Sequence, residues 1–209
     1  FGFLEIGPLV LKEPEIQLPP VWLADQIAFS QSPEKVPLKR ALRQLIKTPF
    51  HVPVFARLDD SLNSLDLHTC IEQLTPFVDG FFVHKQQVAL LSKAVGIPCY
   101  QIMNAEDALT TVSISTNVVG VVLDPPYLTI ENRMVERKNS LHILQQAVSS
   151  IKAKFPQLPI LTTGGITTPA DALTLTAAGA DFMLLTEGYV NTGPGLPKRI
   201  HERLLHEAI

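Results

Sequence analysis

The feature that most constrains this chain is an alternation of two periodicities. Short runs rich in β-branched and aromatic residues occur at Phe3 to Ile6, Val52 to Arg57, Gly80 to Val83, Pro98 to Met103, Val118 to Leu123, Pro159 to Thr163 and Phe182 to Leu185. Between them, apolar residues recur at helical spacing: Leu38, Leu42, Leu45; Leu67, Ile71, Leu74; Val88, Leu91, Val95; Leu141, Leu144, Val148, Ile151; and Leu196, Ile200, Leu204. Thr168-Pro169 supplies a helix cap followed by a first-turn proline, and Gly96 and Gly179 stand where helices should stop. Strands that are apolar on both faces and joined by helices belong to parallel sheets with right-handed crossovers. An open doubly wound sheet and a closed barrel both satisfy this pattern. Gly164-Gly165 follows the sixth of the seven runs, and there is no G-x-G-x-x-G, which argues against an open dinucleotide-binding sheet. The expected fold is an α/β (β/α)₈ TIM barrel, a single domain over residues 1–209 with seven strands visible and the first expected upstream of Phe1. Seven parallel strands leave open edges, so a missing upstream segment or a protein partner is expected to complete the wall.

Composition narrows the partners. With 46% hydrophobic residues in 209, the chain can bury one sizeable core. Its 17 basic and 20 acidic residues give a net charge of −3, and no Lys/Arg run exceeds two, so no nucleic-acid surface is written into it. Cys70 and Cys99 lie far apart within apolar segments and read as buried thiols. His51, His68, His84, His142, His201 and His206 show no metal-ligand spacing with one another or with the cysteines, so no metal site is expected. The apolar runs fall short of the roughly 20 residues a membrane span needs. The chain starts at Phe1-Gly2-Phe3 without the layout of a signal peptide. The cytoplasm or an organelle matrix is the expected compartment, with any targeting segment lying upstream.

Two turns suggest an anion site. In Leu161-Thr162-Thr163-Gly164-Gly165-Ile166 a strand ends in two glycines, and a helix follows from Pro169. Lacking a Cβ, glycine lets a phosphate oxygen approach backbone N–H groups, and a helix start adds favourable partial charge. A second strand end opens into a turn at Leu184-Leu185-Thr186-Glu187-Gly188. Barrels commonly build phosphate sites from their last two strand-to-helix turns. Glu187 is an awkward neighbour for a dianion and is expected to point to solvent. The proline-bearing segments Leu9 to Pro37 and Pro125 to Asn139 read as long connections covering the barrel rim or contacting substrate.

The run Gly164-Gly165-Ile166, Asp171-Ala172-Leu173, Ala178-Gly179-Ala180, Leu185-Thr186, Gly193-Pro194-Gly195-Leu196 and Arg199-Ile200 resembles the C-terminal quarter of the dihydroorotate dehydrogenases. Gly2-Phe3-Leu4-Glu5-Ile6-Gly7 and Pro20-Val21-Trp22-Leu23 are similar to segments near that family's second strand. The resemblance implies an FMN-binding barrel, with the flavin phosphate at Gly164, Gly165 and Thr186 and with Leu185 also among the cofactor-binding residues. In that family FMN takes a hydride from dihydroorotate while a loop Ser or Cys removes the neighbouring proton. By the same resemblance, Gln101 stands where a lysine would face the flavin ring. His84-Lys85-Gln86-Gln87 replaces an Asn-rich run and its lid, and Asp124-Pro125-Pro126 replaces a Thr-Asn pair.

His84, Lys85 and Asp124, all at strand ends, are then the candidate catalytic residues, as general acid, base or cation. Each has a plainer role available, as a rim or turn residue, and Glu5 is expected to pair with Arg57 or Lys85. Three functions stay open. One is an FMN-dependent oxidoreductase of dihydroorotate dehydrogenase type, with altered catalytic residues and a small-molecule substrate. Another is a catalytically inactive barrel, a pseudoenzyme acting as a structural or regulatory subunit, with the flavin lost and at most a phosphate or other anion bound. A third is a lyase or isomerase using Lys85 for a Schiff base on a phosphorylated substrate.

Overall fold

The computed structural model describes residues 2–12, 21–23, 26–30, 35–48, 50–91, 96–130 and 133–207, the side chains of 22–30 and 187 excepted. In chain order the elements are β1 (Leu4–Val10), β2 (Val21–Leu23), β3 (Gln26–Ser30), β4 (Val36–Pro37), α1 (Leu38–Lys47), β5 (Val54–Leu58), α2 (Ser64–Leu74), β6 (Gly80–His84), α3 (Lys85–Leu91) and β7 (Cys99–Asn104). They continue as α4 (Ala105–Thr110), β8 (Gly120–Asp124), β9 (Tyr127–Ile130), β10 (Arg133–Glu136), α5 (Ser140–Lys154), β11 (Ile160–Thr163), α6 (Pro169–Ala178), β12 (Phe182–Leu184), α7 (Glu187–Thr192) and α8 (Leu196–Glu207). The chain divides into two compact units, one of Phe1–Pro19, Ser32–Ile102 and Ile114–Val119, the other of Pro20–Gln31, Met103–Ser113 and Gly120–Ile209.

In the first unit β1 pairs in parallel with both β4 and β5, β5 pairs with β6, and β6 with β7. Alternation along the strands sorts the residues by face. Val54, Ala56, Leu58, Phe81, Val83 and Cys99 join Leu38, Ala41 and Leu45 of α1, Leu67, Cys70, Ile71 and Leu74 of α2, and Val88 and Leu91 of α3 in one buried cluster. That layer between strands and helices is what the helical spacing in the sequence encodes. Phe55, Phe82 and Tyr100 pack on one another, Phe55 and Phe82 stacked 5.2 Å apart and Tyr100 edge-on to both. Arg57 lies over the Phe82 ring and pairs with Glu5, the expected partnership, between neighbouring strands.

The second unit holds a parallel trio, with β11 between β8 and β12, packed with helices of its own. Helix α5 buries Ile143, Leu144, Ala147, Val148 and Ile151, an i, i+3, i+4 stripe, and Val121, Val122, Leu123, Ile160 and Leu161 are buried on the strands. Helix α6 starts as the sequence indicates: Thr168 and Asp171 form a reciprocal capping box with Pro169 at the first position, and Gly179 ends the helix at φ 108°. The predicted stop at Gly96 adjoins residues 92–95, which lie outside the described residues.

Each of the seven expected runs carries a parallel strand, and the two-residue β4 is an eighth. The expected long connections differ from the structure. Parts of both pair as an antiparallel sheet of β2, β3, β10 and β9 in the second unit. Prolines and short length hide these strands in the sequence, because each run is only three to five residues long. Among the described residues, no helix is long and apolar enough to cross a membrane.

Candidate functional site

The Gly164-Gly165 turn follows β11 directly, and both glycines adopt left-handed backbone, φ 68° and 67°. Side chains would be strained there, and two successive residues of this kind turn the chain sharply enough to expose backbone N–H groups. The second turn lies against the first. A Cβ at Gly188 would overlap the carbonyl oxygen of Ile166 and approach Thr167 Cα to 3.2 Å, so glycine is what allows the two turns to touch.

A carboxylate already sits at the first turn. Gly165 N–H donates to Glu136 Oε1 at 2.6 Å, and the Ser140 hydroxyl donates to the same oxygen. Glu136 Oε2 lies 2.6 Å from where a Gly164 Cβ would stand, and Pro125 Cγ is equally near that point. The hairpin of β9 and β10 explains the delivery. Leaving β8 through Pro125-Pro126, the chain runs out along β9 and returns along β10, with Glu136 paired opposite Tyr127 and Arg137 N–H bonded to the Pro126 carbonyl. Only 6% of Glu136 is exposed. Burial pushes its carboxyl above the ordinary range, and the bonds from Ser140 and Gly165 pull the other way without cancelling it. The sequence offers Glu187 as the neighbouring carboxylate, but its side chain lies outside the described residues. Glu136 carries no motif; the one signal for it is an acid four residues ahead of Ser140 at a helix start.

The turn with Glu136 in place does not fit the phosphate of FMN. The Gly165 N–H that would donate to a phosphate oxygen already donates to Glu136 Oε1, and Glu136 Oε2 fills the space beside Gly164.

Other sequence-expected site residues are placed as follows. Asp124, at the end of β8, accepts a hydrogen bond from Thr163 Oγ1 at 2.8 Å, tying two neighbouring strand ends together beside the glycine turn. Leu185 is half-buried and Thr186 exposed, and the Thr186 carbonyl accepts the N–H groups of Tyr189 and Val190 in the first turn of α7. The second unit thus brings Asp124, Thr163, Gly164, Gly165 and Glu136 together. His84, Lys85 and Gln101 belong to the first unit. The backbone N–H of His84 donates to Gln87, whose amide reaches the Asp59 carbonyl, and Lys85 opens α3 with its side chain exposed. Gln101 is buried on the face of β7 opposite Tyr100, and its side-chain oxygen accepts from the Ser115 N–H at 2.9 Å. The resemblance places that residue against the flavin ring; its side-chain oxygen also holds the segment after α4.

Sequence reasoning also passes over Asp59, which follows β5 and is 5% exposed. Burial raises its carboxyl, but hydrogen bonds from the Ser61 hydroxyl, Lys35 and the Ser61 N–H, with the Lys35 charge, more than offset this and hold it below the usual carboxylate range. Among the described residues, no group of three or more His, Cys, Asp or Glu could hold a metal ion.

Comparison with known proteins places this geometry. No protein-family model matches the chain. It superposes on the crystal structure of DHODH in complex with ferulenol from Eimeria tenella with a TM-score of 0.77 and 17% identity, covering 99% of this chain and 74% of that one. The ligand-free type DHODH of Eimeria tenella gives 0.78 and 16%, covering 99% and 77%. Among curated proteins, a dihydroorotate dehydrogenase (quinone) of Chelativorans sp. (strain BNC1) is 49% identical over 49 residues, 23% of this chain and 14% of that protein. One from Chloroflexus aurantiacus (strain ATCC 29366 / DSM 635 / J-10-fl) is 45% identical over the same length. The chain has the α/β barrel fold of the dihydroorotate dehydrogenases, with close sequence likeness to those enzymes over 49 residues.

Proposed function

We propose that this chain is a dihydroorotate dehydrogenase-like barrel that carries out no flavin chemistry and acts as a structural or regulatory subunit for a protein partner. The observation that carries the reading is the Glu136 carboxylate bonded to the Gly165 N–H, in the turn where the resemblance would seat the flavin phosphate. Phosphate contacts anchor a mononucleotide through oriented N–H donors, and a buried carboxyl that already takes such a donor occupies the place of a phosphate oxygen. The placement of Gln101 is consistent with it, since the side-chain oxygen is engaged by the Ser115 N–H.

The test is the intact protein as purified. The expected outcome is no flavin band between about 350 and 500 nm, the region in which the cofactor's own chemistry is read, and no dihydroorotate-dependent reduction of a dye. A yellow protein carrying stoichiometric FMN would sink the reading.

A second reading, an FMN-dependent oxidoreductase with altered catalytic residues, is favoured by the 49 residues close to curated quinone-type enzymes and by the abutting turns. It requires Glu136 to leave the turn, and it draws its general acid or base from His84, Lys85 or Asp124. Separate substitutions of those three residues would then each lower turnover, by the roughly 10²- to 10⁴-fold typical of general acid–base groups.

A further inference from the structure

We propose that Glu136 is a built-in anion for the Gly164-Gly165 turn, filling a position that becomes a site for orthophosphate or a phosphomonoester once the carboxylate is removed. The proposal rests on the reading of the chain as flavin-free and deepens it, by naming what holds the site and what class of ligand would replace it.

The argument begins with the donors. Gly165 N–H and Ser140 O–H converge on one oxygen, Glu136 Oε1, the arrangement that surrounds a single oxygen of a bound phosphate. The second oxygen lies where any residue but glycine at 164 would place its Cβ, so the backbone and the carboxylate occupy complementary volumes. Gly165 is likewise closed in, with a Cβ there meeting Leu144 Cδ1 at 3.0 Å. The carboxylate therefore sits in a concavity built of backbone and apolar walls, with donors at its base. Delivery by a paired hairpin strand fixes its position, because Glu136 is held in register opposite Tyr127 and its neighbour Arg137 is bonded to Pro126. Replacing Glu136 by Ala removes a methylene and a carboxylate, one heavy atom fewer than orthophosphate brings, so the vacated volume and the freed donors suit that ion in both size and charge.

Wild type, E136A and E136Q are compared at one mildly alkaline pH. Titration with inorganic phosphate, against chloride at matched ionic strength, is followed by the Gly165 amide resonance and by thermal midpoint. The expected result is phosphate binding to E136A at least about tenfold tighter than to wild type, a difference of about 1.4 kcal/mol, with the Gly165 resonance moving only in the variant. Hydrogen exchange at Gly165 gives an independent reading if E136A does not fold. In E136Q a neutral acceptor replaces a charged one of roughly twice the strength, and exchange is expected to be about tenfold faster than in wild type. Equal phosphate affinity in wild type and E136A, or equal Gly165 exchange in wild type and E136Q, overturns the proposal. Flavin in the purified protein refutes the functional reading itself, whereas a flavin-free protein whose folded E136A ignores phosphate refutes only the resident-anion assignment.

Discussion

Glu136 combines a nearly complete loss of solvent with two hydrogen-bond donors, and the balance sets a sign for its effect on stability. Burial raises its carboxyl above the ordinary 4.5, so the folded state holds the proton more tightly than the unfolded chain does. A group of this kind contributes stability that is complete below its unfolded value and is lost as pH rises through the folded value. Wild type is therefore expected to lose stability relative to E136Q as pH climbs above about 4.5, which urea unfolding of both proteins across the acid-to-neutral range would measure. A constant difference across that range would contradict it. Thr162 gives a second residue-scale expectation. Its hydroxyl is fully buried and has no hydrogen-bond partner, the only such side-chain atom among the described residues. Thr162→Val removes that unmet group and is expected to raise stability by about 1 kcal/mol in chemical denaturation.

At the scale of elements, the decisive contact is between turns. Gly188 opens α7 against the Ile166 carbonyl, and a methyl group there meets backbone that has nowhere to yield. Gly188→Ala is expected to cost more than about 2 kcal/mol by overpacking, while Thr168→Ala, which breaks only the capping box of α6, is expected to cost about 1 kcal/mol. Thermal or urea unfolding of the two variants would rank them, and the reverse order would show that the turns do not press on each other as described. What the sequence discloses differs between these elements. Thr168, Pro169, Asp171 and Gly179 act within one helix, so their spacing alone reveals the cap and the stop. Glu136 acts on Gly165 at a separation of 29 residues, through a hairpin whose four-residue strands lack a readable period. No local pattern records that pairing. For Gln101 the position on β7 is legible, but the bond its oxygen makes to the Ser115 N–H depends on strand register and on a segment beyond the next helix.

Over the whole molecule, the alternation of strand and helix identifies a parallel α/β fold, because burial between layers imposes it on every unit of the chain, and the place of Gly164-Gly165 after the sixth run favours the barrel over the open sheet. The antiparallel sheet escaped because its strands are short and sit among prolines, where pairing rather than propensity defines them. The cysteines also act at this scale. Cys70 and Cys99 are buried in the first unit and unpaired, and burial pushes both thiols up to about 11, with the Asp66 charge adding to the effect at Cys70. Since the thiolate is the reactive form, a thiol-selective reagent is expected to label neither in the native protein and both in urea. Rapid native labelling would mean that the first unit opens readily.

The hairpin that brings Glu136 to the glycine turn also bears on how the protein matures. A flavoprotein gains stability from its cofactor by mass action, so its yield follows vitamin supply. On the proposed reading, the group that fills the turn is the Glu136 carboxyl, tethered there by the chain at an effective concentration no metabolite pool can alter. Cells starved of riboflavin should accumulate this protein as well as fed ones do.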